Sequence, residues 1–409
     1  MGKVVCFDFE MKQLIDHEYG AISQHIVGLP CWAIMATGRS GSDYFHSLLE
    51  SHPEVLTFNG HFDFYCSFID VSKVFASCEP EIDDAIDEFI GLCLMKLVSK
   101  YDLQEAKNTL GPNHDESFRI DTKLFKLHAS KLLAIIGLSP YNLLLATHAA
   151  YSLCLGRNLL STRVILFHPH LEREVRRLAE DAVDLRMIFT VRDPRASILS
   201  QVENFRSYYP DTHDGQGHLY ESMRMNLLGP LIIEDLKLPS LIVRLEDLPK
   251  REILERICNH LGISWSESIL LPTWSNLIWN GDRLSKRRLD NEWSENRTYN
   301  GWKIKLTKRD QLLIRTCLNS RLTHFGYQKE PLSKAWLFCG AVLSILPMSL
   351  ELRYITPKYL ISRLRLKRVG VIMVLELPFY FLKRIWLTSS FIKRVNQYRE
   401  TEQSFVIIQ

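Results

Sequence analysis

The chain has 409 residues, 46% of them hydrophobic and 24% charged, with a formal net charge of +3. That is enough for one large core or two ordinary domains, too apolar for a mainly disordered chain, and too nearly neutral for a whole-chain argument for nucleic-acid binding. The charge is unevenly placed: from Pro331 to Gln409 there are 12 Lys and Arg against 4 Asp and Glu, a balance of +8 that leaves −5 on the first 330 residues. The nine cysteines are dispersed, with no CxxC pair and no zinc spacing, which favours a reducing compartment. The first ten residues set Lys3, Asp8 and Glu10 around a short apolar stretch, which is no secretory pattern, and no long apolar run follows near the start. The opening MGKVVC supports myristoylation only weakly, having Gly2 but no Ser or Thr at position 6. The expected location is cytoplasmic, where the sequon Asn296-Arg297-Thr298 is a coincidence.

Along the chain, Trp32 to Ala36 reads as a short buried strand. GRSGSDYFHSLLESHPEV follows, with Ser42 or Asp43 able to cap a helix whose apolar face is Tyr44, Phe45, Leu48 and Leu49. Val55 to Phe58 reads as a second strand. Glu81 to Lys100 reads as an amphipathic helix, with Ile82, Ile86, Phe89, Ile90, Cys93 and Leu97 at helical spacing. Residues 104–160 hold helix-like apolar stretches broken at Gly111-Pro112 and Ser139-Pro140. A strand (Arg163 to Phe167), a charged helix (Leu171 to Asp181) and a strand (Leu185 to Val191) then make a βαβ pattern, which implies parallel strands. Ser240 to Leu245 reads as a further strand, and Pro249 to Leu261 as a helix ended by Gly262.

Two stretches have the chemistry to bind anions. TGRSGS between a strand and a helix can point backbone N–H groups into one cavity at the positive helix end. Arg39 adds a full charge there, and Ser40 and Ser42 add hydroxyl donors. The Walker pattern is absent, because Gly41 is followed by Ser-Asp. Taken alone, the stretch reads equally well as an ordinary polar turn with a helix cap. VRDPRASILSQ sets Arg192 at a strand end, where open α/β sheets bind ligands, and Ser200 about two turns into the next helix. Alone, this reads more readily as a helix-starting loop with charges in solvent.

Together these stretches resemble the PAPS-dependent sulfotransferases, especially the carbohydrate type. GRSGSDYFHSLLESHPEV is similar to their 5′-phosphosulfate loop, and VRDPRASILSQ to their 3′-phosphate motif. SLIVRLEDL followed by a helix is similar to a third landmark. The resemblance covers roughly residues 30–328. It implies an α/β P-loop-like three-layer fold with a central parallel sheet, and 3′-phosphoadenosine 5′-phosphosulfate (PAPS) as donor, leaving PAP, with no metal. Arg39, Ser40, Gly41 and Ser42 would hold the 5′-phosphosulfate, and Arg192 and Ser200 the 3′-phosphate. Arg297, Gly301 and Trp302 resemble the late basic loop that covers the nucleotide, although Trp302 reads equally as core. Asp43 stands where the family often has Thr or Ser, beside an anionic ligand unless it turns away to cap the helix.

Sulfuryl transfer needs a base for the acceptor proton. By the same resemblance His170, 22 residues before Arg192, falls near the catalytic histidine of the cytosolic type, with His168 where that type has Lys. His61 in FNGHFDFY is its rival, and a structural histidine is the plain alternative for either. Lys123 and His128 are weaker candidates, on a segment that also reads as a surface element. The rival functions are a P-loop kinase, which would require the missing Lys-Ser/Thr pair, and a non-catalytic membrane-bound scaffold. The acceptor expected by analogy is a carbohydrate or glycolipid.

The sequence divides into a sulfotransferase-like domain over 1–330 and a basic, apolar helical extension over 331–409. Ala335 to Leu350 and Val369 to Leu387 are apolar but fall short of clean spans, and PKYLISRLRLKR lies between them. Such a composition suits a peripheral element on the inner membrane face, against the alternative of an oligomer contact or an extension of the core.

Overall fold

The structure is a computed structural model that describes residues 17–36, 38–98, 110–113, 115–208, 219, 222–226, 236–281, 301–352, 357–365, 371–372, 374–376, 378–386 and 405–408. Its main strands are β1 (Cys31–Ala36), β2 (Val55–Thr57), β3 (Val164–Phe167), β4 (Leu185–Val191) and β5 (Ser240–Arg244). A short hairpin is formed by β6 (Thr273–Trp274) and β7 (Leu277–Ile278), and β8 (Phe405–Ile408) closes the series. The longer helices are α1 (Ser42–Leu49), α2 (Ile82–Val98), α3 (Thr122–Ile136), α4 (Pro140–Cys154), α5 (Glu172–Asp181), α6 (Pro194–Tyr208), α7 (Arg251–Leu261), α8 (Lys308–Cys317), α9 (Lys334–Leu343) and α10 (Pro357–Leu364).

Six strands form one sheet in the order β2-β3-β1-β4-β5-β8. β3 pairs in parallel with both β1 and β2, through Ala33 opposite Phe167 and Thr57 opposite Leu166. This is the α/β parallel sheet that the sequence implies. Continuous apolar runs such as VILF, buried at every residue, suit a sheet covered on both faces. The βαβ pattern over 164–191 is present, but β1 lies between its two strands. No disulfide joins any described cysteine.

The chain forms two compact units. The first gathers residues 1–35, 43–188 and 251–283, and the second 36–42, 189–250 and 284–409. The first is centred on aromatic side chains: Phe58, Phe64, Phe68, Phe89 and Phe125 are all buried, with ring pairs such as Phe68–Phe89 at 5.4 Å and Phe89–Phe125 at 5.9 Å. Residues 104–160, hard to read in sequence, contribute α3 and α4. Asp121 accepts from the N–H groups of Lys123 and Leu124 to cap α3, and Ser139 caps α4 with Pro140 at its first position.

In the second unit, Ile198, Leu199 and Val202 of α6 share a core with Leu313, Ile314 and Cys317 of α8 and with Met348 and Leu350. Residues on both sides of position 331 thus contribute to this core. Gly340 of α9 is buried against Thr316 of α8, and Arg384 forms a buried ion pair with Glu351 at 2.6 Å. β8 adds to the edge of β5 in parallel, from Ser240 opposite Phe405 to Val243 opposite Ile408. Composition marks the last fifth of the chain as apolar and basic, but it does not say which apolar faces the core takes up.

Candidate active site

The turn after β1 belongs to the second unit and is built around two glycines, Gly38 at φ +76° and Gly41 at φ +84°. Side chains rarely adopt that left-handed region. A Cβ on Gly38 would stand 2.8 Å from Gln201 Oε1, and one on Gly41 would run into Leu245, 3.0 Å from its Cδ2. Between them the Ser40 N–H donates to Gly38 O at 2.8 Å, and the fully buried Ser40 hydroxyl meets the Thr190 hydroxyl of β4 at 3.0 Å. Ser40 thus braces the turn against β4. Ser42, 6% exposed, opens α1.

Arg192 follows the last residue of β4. Its Nη1 donates to Arg39 O at 3.4 Å, so two motifs about 150 residues apart meet in one place. Its Nε is buried and makes no hydrogen bond. Burial pulls the pKa of this guanidinium down, and the nearby Glu246 carboxylate opposes that shift. A buried cationic donor without a partner is costly, by roughly 1–3 kcal/mol or more. An anion at this point would offset that cost, so the residues present fit a phosphate.

The Arg-Leu-Glu-Asp-Leu stretch after β5 is the scaffold of this loop. Leu245 packs under Gly41, and Glu246 accepts from the Asp193 N–H at 3.0 Å and from the Tyr327 hydroxyl at 2.8 Å. Burial raises the Glu246 pKa, while these hydrogen bonds act the other way. Arg195 grips Asp193 through Nε at 2.8 Å and Nη2 at 2.7 Å, and its guanidinium lies 4.0 Å above the Trp302 ring. Glu246, Asp193, Arg195 and Tyr327 set the position of Arg192, yet sequence reasoning passed over all four as site residues. Asp193 and Arg195 stand inside VRDPRASILSQ and Glu246 inside the third landmark, whose role is to hold Asp193.

The first unit carries a cluster of four histidines. The Thr57 hydroxyl donates to Leu166 O at 3.0 Å, so its oxygen accepts from His46 Nε2–H at 2.6 Å. The Nδ1 atoms of His46 and His168 lie 3.0 Å apart. With both rings neutral, His46 Nδ1 is the acceptor and His168 Nδ1–H the donor. That leaves the lone pair on His168 Nε2, which is buried without a hydrogen-bond partner. His168 is held well below the usual imidazole range, mainly by burial and then by the neighbouring His46 and His170, with Asp43 pulling the other way. His61 and His170 stack face to face, with centroids 4.2 Å apart and planes within 2°. The His170 N–H donates to Asp63 at 2.7 Å, and Lys96 donates to His61 O. His170 is exposed, His61 partly buried and His168 fully enclosed. Beside His168 is a cavity of about 10 Å³, lined also by Thr57, Gly60, His148 and Glu174, with room for a single water's centre and not for an acceptor.

No family model matches this chain, and no curated protein does. Several solved structures are similar to it, among them two sulfotransferase domains. One, from the Synechococcus PCC 7002 olefin synthase, is 18% identical, covers 67% of this chain and 87% of its own, and has a TM-score of 0.34. The other, from the curacin biosynthetic pathway, is 14% identical, covers 68% and 93%, and has a TM-score of 0.37.

Of the residues singled out in the sequence, Arg39, Ser40, Gly41, Ser42, Arg192 and Ser200 all fall in the second unit, and His61 and His170 in the first. Ser200 is partly buried on α6. Trp302 is 6% exposed and part of the second unit's core, beneath Arg195, while Gly301 begins the short helix ahead of α8. Arg297 lies outside the described residues. Lys123 is exposed on α3, and His128 of the same helix is bonded to the Tyr19 hydroxyl at 2.5 Å. Among the described residues no group of three or more His, Cys, Asp or Glu is arranged to hold a metal.

Proposed function

We propose that this chain is a PAPS-dependent sulfotransferase that acts on a hydroxyl or amine of a carbohydrate or lipid-linked glycan. One observation carries the reading: Arg192, with its Nε unpartnered, reaches the glycine turn through Arg39 O. Two anion-binding elements thereby converge, as a nucleotide with phosphates at both its 3′ and 5′ positions requires. The turn with Arg39 and Ser42 would hold the 5′-phosphosulfate, and Arg192 and Ser200 the 3′-phosphate. PAPS supplies an activated sulfuryl group, displaced in line with charge building on the leaving phosphate oxygen. In this reading Arg39 stabilises that charge. His170, the exposed member of the histidine cluster, takes the acceptor proton, and its stack on His61 fixes its ring plane. The acceptor class rests on the likeness of the loop to the carbohydrate type.

The test is titration of PAP, AMP and ATP into wild type and Arg192→Ala, in EDTA and again in excess Mg²⁺. PAP should bind tighter than AMP. Charge-assisted bonds contribute about 1.5–3 kcal/mol each, so Arg192→Ala should weaken PAP roughly 10- to 150-fold and AMP little. Equal losses for both nucleotides would remove the 3′-phosphate assignment. A preference for ATP that appears only with Mg²⁺ would favour a kinase.

A further inference from the structure

The last part of the chain packs with its apolar faces outward. α9 (KAWLFCGAVL) is apolar almost all round, yet only Gly340 is fully buried, while Trp336, Phe338 and Val342 are 57%, 71% and 50% exposed. A soluble helix normally turns its apolar stripe to the core. The helical run over 378–386, with the helical residues just before it, repeats the inversion. Phe379, Leu382 and Trp386 recur at i, i+3 and i+7 on one face, and each, like Leu375 before them, is 58–64% exposed. The opposite face is the polar one: Arg384 is buried on Glu351 and donates to Ser344 O and Leu346 O at 3.0 Å each. Ile361 and Leu364 of α10 are also more than half exposed.

Of the 27 large hydrophobic side chains exposed among the described residues, 14 lie between 336 and 386. These include every exposed Trp and Phe of that set, so the patch is concentrated in one segment. Exposed Lys334, Arg365 and Lys383 lie beside or among them, within residues 331–409, whose charge is +8. No described helix is long and apolar enough to cross a membrane. We infer that this outward apolar face seats α9 and the helical residues 371–372, 374–376 and 378–386 in the interface of an anionic lipid bilayer. Charge selects this occupant over a second copy of the chain: two +8 segments brought together repel, whereas acidic headgroups neutralise them. Aromatic and aliphatic side chains with flanking Lys and Arg match the interfacial region, where rings enter and cationic heads stay wet.

The experiment uses the full chain and vesicles of phosphatidylcholine with or without about a third phosphatidylserine, in co-sedimentation at low and high salt. The wild type should pellet with the anionic vesicles, less so as salt rises. The quadruple variant Phe338→Ser/Phe379→Ser/Leu382→Ser/Trp386→Ser should lose at least about tenfold in partitioning, because it removes only exposed side chains. Leu124→Ser/Leu127→Ser, exposed apolar residues of the first unit, should leave it unchanged. Circular dichroism and PAP titration confirm that each variant is folded. Vesicle binding that survives the quadruple substitution overturns the inference, as does a wild type that ignores anionic vesicles. So does a wild type that forms a dimer which the quadruple variant dissolves while vesicles have no effect.

Discussion

Gly340→Ala is expected to destabilise the second unit, against the direction helix propensity predicts. Alanine in a helix interior is better than glycine by about 1 kcal/mol, so an open site would gain from the change. At Gly340 the new methyl would land inside the Thr316 side chain, with Cβ 2.8 Å and Cγ2 2.9 Å from it and the hydroxyl nearer still. Thr316 is 4% exposed, and its hydroxyl is tied to Leu312 O at 2.8 Å, so it has little room to turn away. Overpacking of this kind costs about 2–3 kcal/mol, leaving a net loss of about 1–2 kcal/mol. Gly91 of α2 is the matched control, since nothing lies within 4 Å of its added Cβ, and Gly91→Ala should stabilise by roughly 0.5–1 kcal/mol. Urea unfolding of both variants measures the two signs. The double variant Gly340→Ala/Thr316→Ala removes two of the three clashing atoms and should show a coupling of about 1 kcal/mol. If Gly340→Ala is as stabilising as Gly91→Ala, α9 does not pack on α8, and the tail is after all separable from the core.

Three further outcomes follow from the same contacts. A chain ending at Glu330 loses α9, the buried Met348 and Leu350 and the β8 pairing, so it should aggregate or unfold in its second unit; a soluble fragment with wild-type PAP affinity and melting temperature would contradict this. His148 is buried, with its Nδ1–H on Leu144 O at 2.8 Å, and burial lowers its pKa to about 4. Because the folded value is depressed, the unfolded state binds the proton first, so stability is full above about pH 6.5 and is lost as pH falls towards 4, by about 3 kcal/mol. His148→Phe should flatten the pH dependence of urea unfolding over that window, and an unchanged slope would remove His148 as its source. For turnover, His170→Ala should lower the rate by roughly 10²–10⁴ with PAP binding intact; if His61→Ala has that effect and His170→Ala is near normal, the base is the other ring of the stack.

By itself the sequence determined the elements whose pattern is local. Continuous apolar runs marked β1, β3 and β4, helical spacing marked α2, and a glycine turn before a helix marked the candidate anion-binding loop. Strand-end position marked Arg192. These are readable because backbone periodicity, capping and left-handed glycines depend on neighbours a few residues away. What joins distant residues was decided only in three dimensions. Nothing in VILF or LRMIFTV says that CWAIMA lies between them, and nothing in SFVIIQ says that it completes the sheet beside β5. The lone pair on His168 Nε2 depends on a chain through His46 and Thr57, from three separate elements, so no single motif could announce it. The tail makes the same point in reverse. Its composition showed that it was apolar and basic, but packing alone decided that Gly340 and Arg384 face inward while Phe338 and Phe379 face out, because a residue's burial is set by the surface that meets it, not by its own polarity.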